Sequence, residues 1–218
     1  MRIGLLSQKG GVGKSTIALN LAALLASDGK PVLLVDADPQ ATISAWSTHR
    51  AHVGLEPLVG VRLVAQTTPD IHKRLKSPEG GKGGDFGHGV IDGPPRADEA
   101  LARSIIAACD VLLIPIQPSL PDLWAARATI ALVRKAQESL PNLKAALVLS
   151  RVKPNTTLGR DFAEVIRSEG LPLLPAGTND RTAYAASMSS CQTVFEYEPS
   201  GKAALEIQLL LAAVKNLK

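Results

Sequence analysis

Aromatic side chains are scarce in this chain: two Trp, two Tyr and three Phe among 218 residues. The core must therefore be filled by Leu, Val, Ile and Ala. Cysteine is nearly absent. Cys109 and Cys191 stand far apart, at no metal-ligand or redox spacing, which excludes a disulfide framework and points to reduced thiols. No apolar run approaches the roughly 18–20 residues that span a bilayer. The N-terminus reads as a strand, with no basic region leading into an apolar signal core, so neither a transmembrane segment nor export is expected. No block of like charge stands out. The net charge of +4 is spread thinly, and a pI near 9.2 permits contact with nucleic acid without demanding it. No Asn-Lys-x-Asp guanine signature and no internal repeat are found.

What the chain does have is alternation. Hydrophobic residues make up 45% of it, enough for one domain, 1–218, with a sizeable core. Strand-like runs at 3–6, 31–35, 61–65, 90–92, 111–116, 145–150 and 171–174 are separated by helical patterns at 17–25, 40–50, 71–76, 98–108, 122–140 and 158–169. Two further helices are expected at 182–190 and 199–217. Residues 77–89 hold six glycines and read as a surface loop. Such alternation predicts an α/β fold: a mostly parallel sheet with helices on both faces. Right-handed crossovers gather the loops after the strand C-termini on one edge, where ligands bind. The chemically rich residues all fall there.

The first of these loops is Ser7-Gln8-Lys9-Gly10-Gly11-Val12-Gly13-Lys14-Ser15-Thr16, between a strand and a helix. Its glycines let backbone N–H groups turn toward a polyphosphate, and the following helix aims its positive end at the same anion. Lys14 is placed to reach β/γ-phosphates and the Ser15 hydroxyl to ligate Mg²⁺. The strict G-x-x-x-x-G-K-[ST] spacing fails, since Gln8 stands where glycine is required, and a second lysine, Lys9, precedes the double glycine.

K-G-G-x-G-K-[ST] is the deviant Walker A loop, and this chain resembles the ParA/MinD family of P-loop ATPases, most of all the short ParF-like plasmid partition ATPases. The resemblance spans nearly the whole chain outside residues 52–89. It implies ATP and Mg²⁺ as ligands, with Gly10, Gly11, Val12, Gly13, Lys14, Ser15 and Thr16 around the phosphates. It implies that Lys9 crosses a nucleotide-sandwich homodimer to the partner's phosphates, and that Lys9, Lys14 and Asp38 carry the hydrolysis.

Val32 to Gln40 resembles the family's second acidic motif. The resemblance sets Asp36 near the Mg²⁺ shell and makes Asp38 the residue that orients the attacking water. Asp-x-Asp-Pro is also a good turn sequence. Val90-Ile91-Asp92 resembles Walker B, so Ser15, Asp36 and Asp92 form the expected metal set. Gly93 and the proline-rich 115–122 turn match the ParF-like subgroup. In dimeric relatives this turn lies near the subunit interface, though a rigid turn explains the prolines too. Arg151 stands where many relatives have asparagine; it and Arg181, from the 175–181 loop, are the expected base- or ribose-side contacts. Glycine is common in relatives where Cys191 stands, so the local turn is expected to differ.

By resemblance the chain is a weak ATPase and a dimerising switch for DNA partition or cargo positioning. Its ATP dimer would bind DNA non-specifically in a nucleoid-associated cytoplasmic location. A ParB-like or adaptor partner would stimulate hydrolysis and release it. Arg127, Arg134, Lys135, Arg167, Lys202, Lys215 and Lys218 are candidate phosphate contacts, though each taken singly reads more simply as a solvated charge. The alternative is a MinD-like membrane-associated positioning ATPase. It would need the last helix, with Ile207, Leu210, Leu211, Val214 and Leu217 in a stripe, to be free for a bilayer surface.

Overall fold

A computed structural model describes residues 1–76, 86–154 and 158–217. The strands are β1 (Arg2–Ser7), β2 (Val32–Asp36), β3 (Val61–Ala65), β4 (His88–Pro95), β5 (Val111–Ile116) and β6 (Lys144–Leu149). They form one six-stranded sheet in the order β3-β2-β4-β1-β5-β6, with every pairing parallel. Each strand is followed by at least one helix: α1 (Lys14–Ala26), α2 (Thr42–His52), α3 (Ile71–Lys76), α4 (Glu99–Ala108), α5 (Leu120–Ser139) and α6 (Leu158–Ile166), with a 3₁₀ turn at Arg167–Glu169. The chain closes with α7 (Thr182–Ser189), α8 (Val194–Tyr197) and α9 (Lys202–Lys215).

Alternate residues of the strands feed two cores, as the period of a strand requires. Ile3, Leu5, Leu34, Val90 and Leu113 face α1, α2, α8 and α9. Leu6, Leu33, Ile91, Leu112 and Ile114 face α3, α4, α5 and α6. Aliphatic residues dominate both cores, as the shortage of rings implies.

Several expectations need correction. The segment 171–174 is not a strand. Pro172 has no N–H to give, so pairing stops at a single bridge, Leu147 with Leu173. β4 runs on to Pro95 instead of ending at Asp92. At Gly93 a Cβ would stand 2.5 Å from the Leu5 carbonyl oxygen, so glycine is what lets the strand continue against β1. The proline-rich 115–122 segment is split between two elements. Pro115 ends up in β5 and Pro121 in the first turn of α5, where the missing N–H costs nothing. Of the expected 77–89 loop, residues 77–85 lie outside the described set, while His88 and Gly89 belong to β4.

Candidate functional site

Site geometry begins at Gly13. It caps α1 in the left-handed conformation, φ 87°, with no side chain closing the helix N-terminus. The first N–H groups of α1 are thus left to whatever enters the loop. Two side chains, Gln117 Nε2 at 3.1 Å and Arg151 Nη1 at 3.2 Å, donate to the Gly11 carbonyl. Neither bond was legible in the sequence, because the partners lie more than a hundred positions away.

Lys14 points inward and is 6% exposed, its Nζ donating to the Lys9 carbonyl at 3.3 Å. Burial lowers its pKa, while Asp92 and Asp38 act in the opposite sense. Lys9 faces outward. Its Nζ is bound at 2.6 Å to Asp122 Oδ2, with the lysine side chain 48% exposed and the aspartate 3%. Ser119, the N-cap of α5, also donates to Asp122, whose other oxygen is buried without a hydrogen bond among the described residues. Asp122, expected in the proline-rich turn and at the start of the following helix, thus stands beside the loop as the partner of Lys9.

The carboxylates lie behind Lys14. Asp36 and Asp92 are register partners across β2 and β4. Asp36 spends its oxygens on protein: Oδ2 accepts from Ser44 N at 2.9 Å and Ser44 Oγ at 2.7 Å, and Oδ1 from Asp38 N at 3.4 Å. Asp38 is 8% exposed and accepts from Gln40 N at 2.9 Å. Asp92 is fully buried, and neither of its oxygens has a hydrogen-bond partner among the described residues. Burial lifts its pKa to about 7. The Ser15 hydroxyl works against that rise, although it makes no bond of ordinary geometry to either oxygen.

A cleft of about 460 Å³ runs from this loop to the segment before and within α7. Its walls include Gly10, Gly11, Gly13, Lys14, Ser15, Thr16, Asp38, Arg151 and Arg181, so nine of the expected site residues share one cavity. Val12 is buried beneath the loop at 1% exposure, and Asp36 and Asp92 stand behind the walls. At the far end Thr178, Asn179, Asp180, Tyr184, Ala185 and Met188 join them, a mixture of polar groups and apolar surface suited to a flat heterocycle. Arg151 bridges the two ends. Besides Gly11 it bonds Asp180 Oδ1 through Nε and Nη2, both at 3.3 Å. The residue ties the loop to the opposite wall.

Residues 3–190 match the family described as the CobQ/CobB/MinD/ParA nucleotide binding domain. Over 198 residues the chain is 34% identical to the maintenance of carboxysome distribution protein A of Halothiobacillus neapolitanus, covering 91% of this chain and 88% of that protein. It is 32% identical over 178 residues to the chromosome-partitioning ATPase Soj of Thermus thermophilus, covering 72% and 71%. Among solved structures, the septum site-determining protein MinD of Pyrococcus horikoshii, complexed with Mg-ADP, aligns with a TM-score of 0.73 at 19% identity. It covers 99% of this chain and 96% of its own, a likeness of fold.

Proposed function

The chain belongs to the CobQ/CobB/MinD/ParA nucleotide-binding family, and from that premise we propose that it is an ATP-dependent dimerising switch that positions an intracellular cargo. The observation that carries this reading is the division of labour between the two lysines. Lys14 is sunk in the cleft of its own chain, whereas the Lys9 side chain stands half-exposed and, among the described residues, its ammonium is held by Asp122 alone. A cation placed outside its own site is of use to a second nucleotide brought up against it.

ATP fits the cleft by size and by the order of its walls, with phosphates at Gly10–Thr16 and the base at Asn179–Met188. The buried Asp92 carboxylate, without a hydrogen-bond partner among the described residues and beside Ser15, has the chemistry of a divalent-cation site. Asp92 and Ser15 would hold Mg²⁺, which supplies charge neutralisation on the phosphate oxygens. Asp36, its oxygens already engaged, would act one shell further out. Asp38, which lines the cleft, would orient water for attack. In this reading a weak intrinsic hydrolysis is accelerated by an adaptor protein, and the ATP dimer holds DNA without sequence preference.

For the cargo, the relatedness over 91% of the chain to a carboxysome-distribution protein favours a protein body over a plasmid. The membrane alternative is weakened by α9. Ile207, Leu210, Leu211 and Val214 are buried in the core and Leu217 is half-buried against it, so most of that stripe is already covered.

The test is size-exclusion chromatography and duplex-DNA binding with ATP, ADP or no nucleotide. The wild type is expected to dimerise and bind DNA only with ATP, and Lys14→Ala to do neither. DNA binding that ignores the nucleotide would overturn the switch.

A further inference from the structure

We propose that Glu206, a residue of α9 outside the cleft walls, is a positioning residue that sets the base preference of the nucleotide site. The proposal rests on the reading of that cleft as an ATP site. Glu206 is 8% exposed. A carboxylate that deep is costly unless donors meet it, and four do. Oε1 accepts from Asn179 Nδ2 at 2.5 Å and Arg181 Nε at 2.6 Å. Oε2 accepts from the Asn179 backbone N–H at 3.0 Å and from Tyr184 Oη at 3.0 Å. All three donor residues line the far end of the cleft, and Glu206 itself does not.

The other side of the same segment is pinned to the sheet edge. Val152 N donates to the Thr178 carbonyl at 3.0 Å, and Asp180 N to the Val152 carbonyl at 2.8 Å. Residues 178–184 are therefore clamped between the strand-end loop that carries Arg151 and the single carboxylate from α9. What the clamp fixes is chemical as well as spatial. By taking Nδ2 of Asn179, Glu206 decides which way that amide faces, and its Oδ1 has no hydrogen bond among the described residues. An acceptor presented to the base end matches the exocyclic amine of adenine and opposes the carbonyl at the same position of guanine. The donor pattern also demands a carboxylate. With donors on both oxygens, an amide at position 206 would turn its own NH₂ toward two of them.

The experiment is calorimetric titration of the wild type, Glu206→Gln, Asn179→Ala and the double variant with Mg-ATP, Mg-GTP and Mg-tripolyphosphate. The last probes the phosphate loop alone. Glu206→Gln is expected to weaken Mg-ATP about tenfold and to narrow the ATP-to-GTP ratio by a similar factor. Mg-tripolyphosphate affinity is expected to hold within about twofold. Asn179→Ala narrows the same ratio, and adding Glu206→Gln to it changes the ratio little further, because the two act through one amide. A ratio untouched by Glu206→Gln, a parallel loss of tripolyphosphate binding, or fully additive effects would overturn the assignment. Should Glu206→Gln fail to fold, an unchanged ratio in Asn179→Ala overturns it alone. A wild type that binds tripolyphosphate but not ATP defeats the parent reading, and this one with it.

Discussion

Lys9 sits in an ion pair that it must leave to do what its family resemblance implies. Its partner Asp122 is almost fully buried, and one carboxylate oxygen already has no hydrogen-bond partner among the described residues. Withdrawing the lysine strands a buried charge, which opposes dimer formation. Asp122→Asn removes that opposition. We expect its ATP-dependent dimer to form at about tenfold lower protein concentration than the wild type, read by sedimentation velocity. A weaker dimer would mean that Asp122 stays engaged across the interface. At Asp92 the consequence is a pH dependence. Its carboxyl is raised from 3.8 to about 7 by burial. Between those values the folded chain holds a proton that the unfolded chain has released, so this group's contribution to stability falls as pH rises through the window. Asp92→Asn cannot ionise. In metal-free, nucleotide-free buffer its Tm relative to the wild type should climb across that window, measured by scanning calorimetry. A flat difference would mean that the wild-type carboxyl titrates in its ordinary range.

Helix α2 shows how a site residue doubles as a structural one. Its N-cap position is Ala41, in the left-handed region at φ 51°, with no side chain able to cap. Asp36 supplies the missing acceptor from the end of β2, bonding the Ser44 N–H in the first turn. Asp36→Ala should therefore cost about 1–3 kcal/mol in urea denaturation without nucleotide. An unchanged midpoint would show that the carboxylate serves the site alone. A comparable substitution of function occurs after α7. Cys191, expected to alter the turn, takes up φ 54°, the left-handed backbone that glycine favours. Gln192 N reaches the Ser187 carbonyl at 2.9 Å and Cys191 N the Met188 carbonyl at 3.2 Å, the paired bonds that close a helix end. The turn geometry survives without glycine because the buried cysteine side chain gains core contacts there.

Across the whole molecule, the candidate DNA contacts separate. Arg127, Arg134 and Lys135 ride on α5, Lys202 and Lys215 on α9, and these helices cover opposite faces of the sheet. Arg127 is further engaged with Glu169 and Lys215 with Asp28. Lys218 lies outside the described residues. Among the described residues these candidates form no single cationic patch, and DNA affinity should come from pairing two copies. Binding by the ATP-loaded protein is expected to fall steeply between roughly 50 and 200 mM salt, in a filter or anisotropy assay. Retention that is insensitive to salt would remove phosphate contacts from the account. Among the described residues no helix is long and apolar enough to cross a membrane.

The sequence by itself determined the order of the six paired strands, the parallel sheet and the glycine-rich loop between β1 and α1, because these follow from local periodicity and glycine placement; it also suggested a strand at 171–174 that Pro172 prevents. Lys14, Ser15, Asp38 and Arg151, expected in segments that follow strand C-termini, all line the cleft; Arg181 lines it too, although the 171–174 segment before it forms no strand. Only the tertiary structure decided that Lys9 pairs with Asp122, that Asp36 caps α2, that Gln117 and Arg151 hold the loop carbonyl, and that Glu206 commands the far wall of the cleft. Those bonds join residues eight to 140 positions apart. No one-dimensional pattern encodes which buried carboxylate meets which donor; that follows from packing two layers of helices on one sheet.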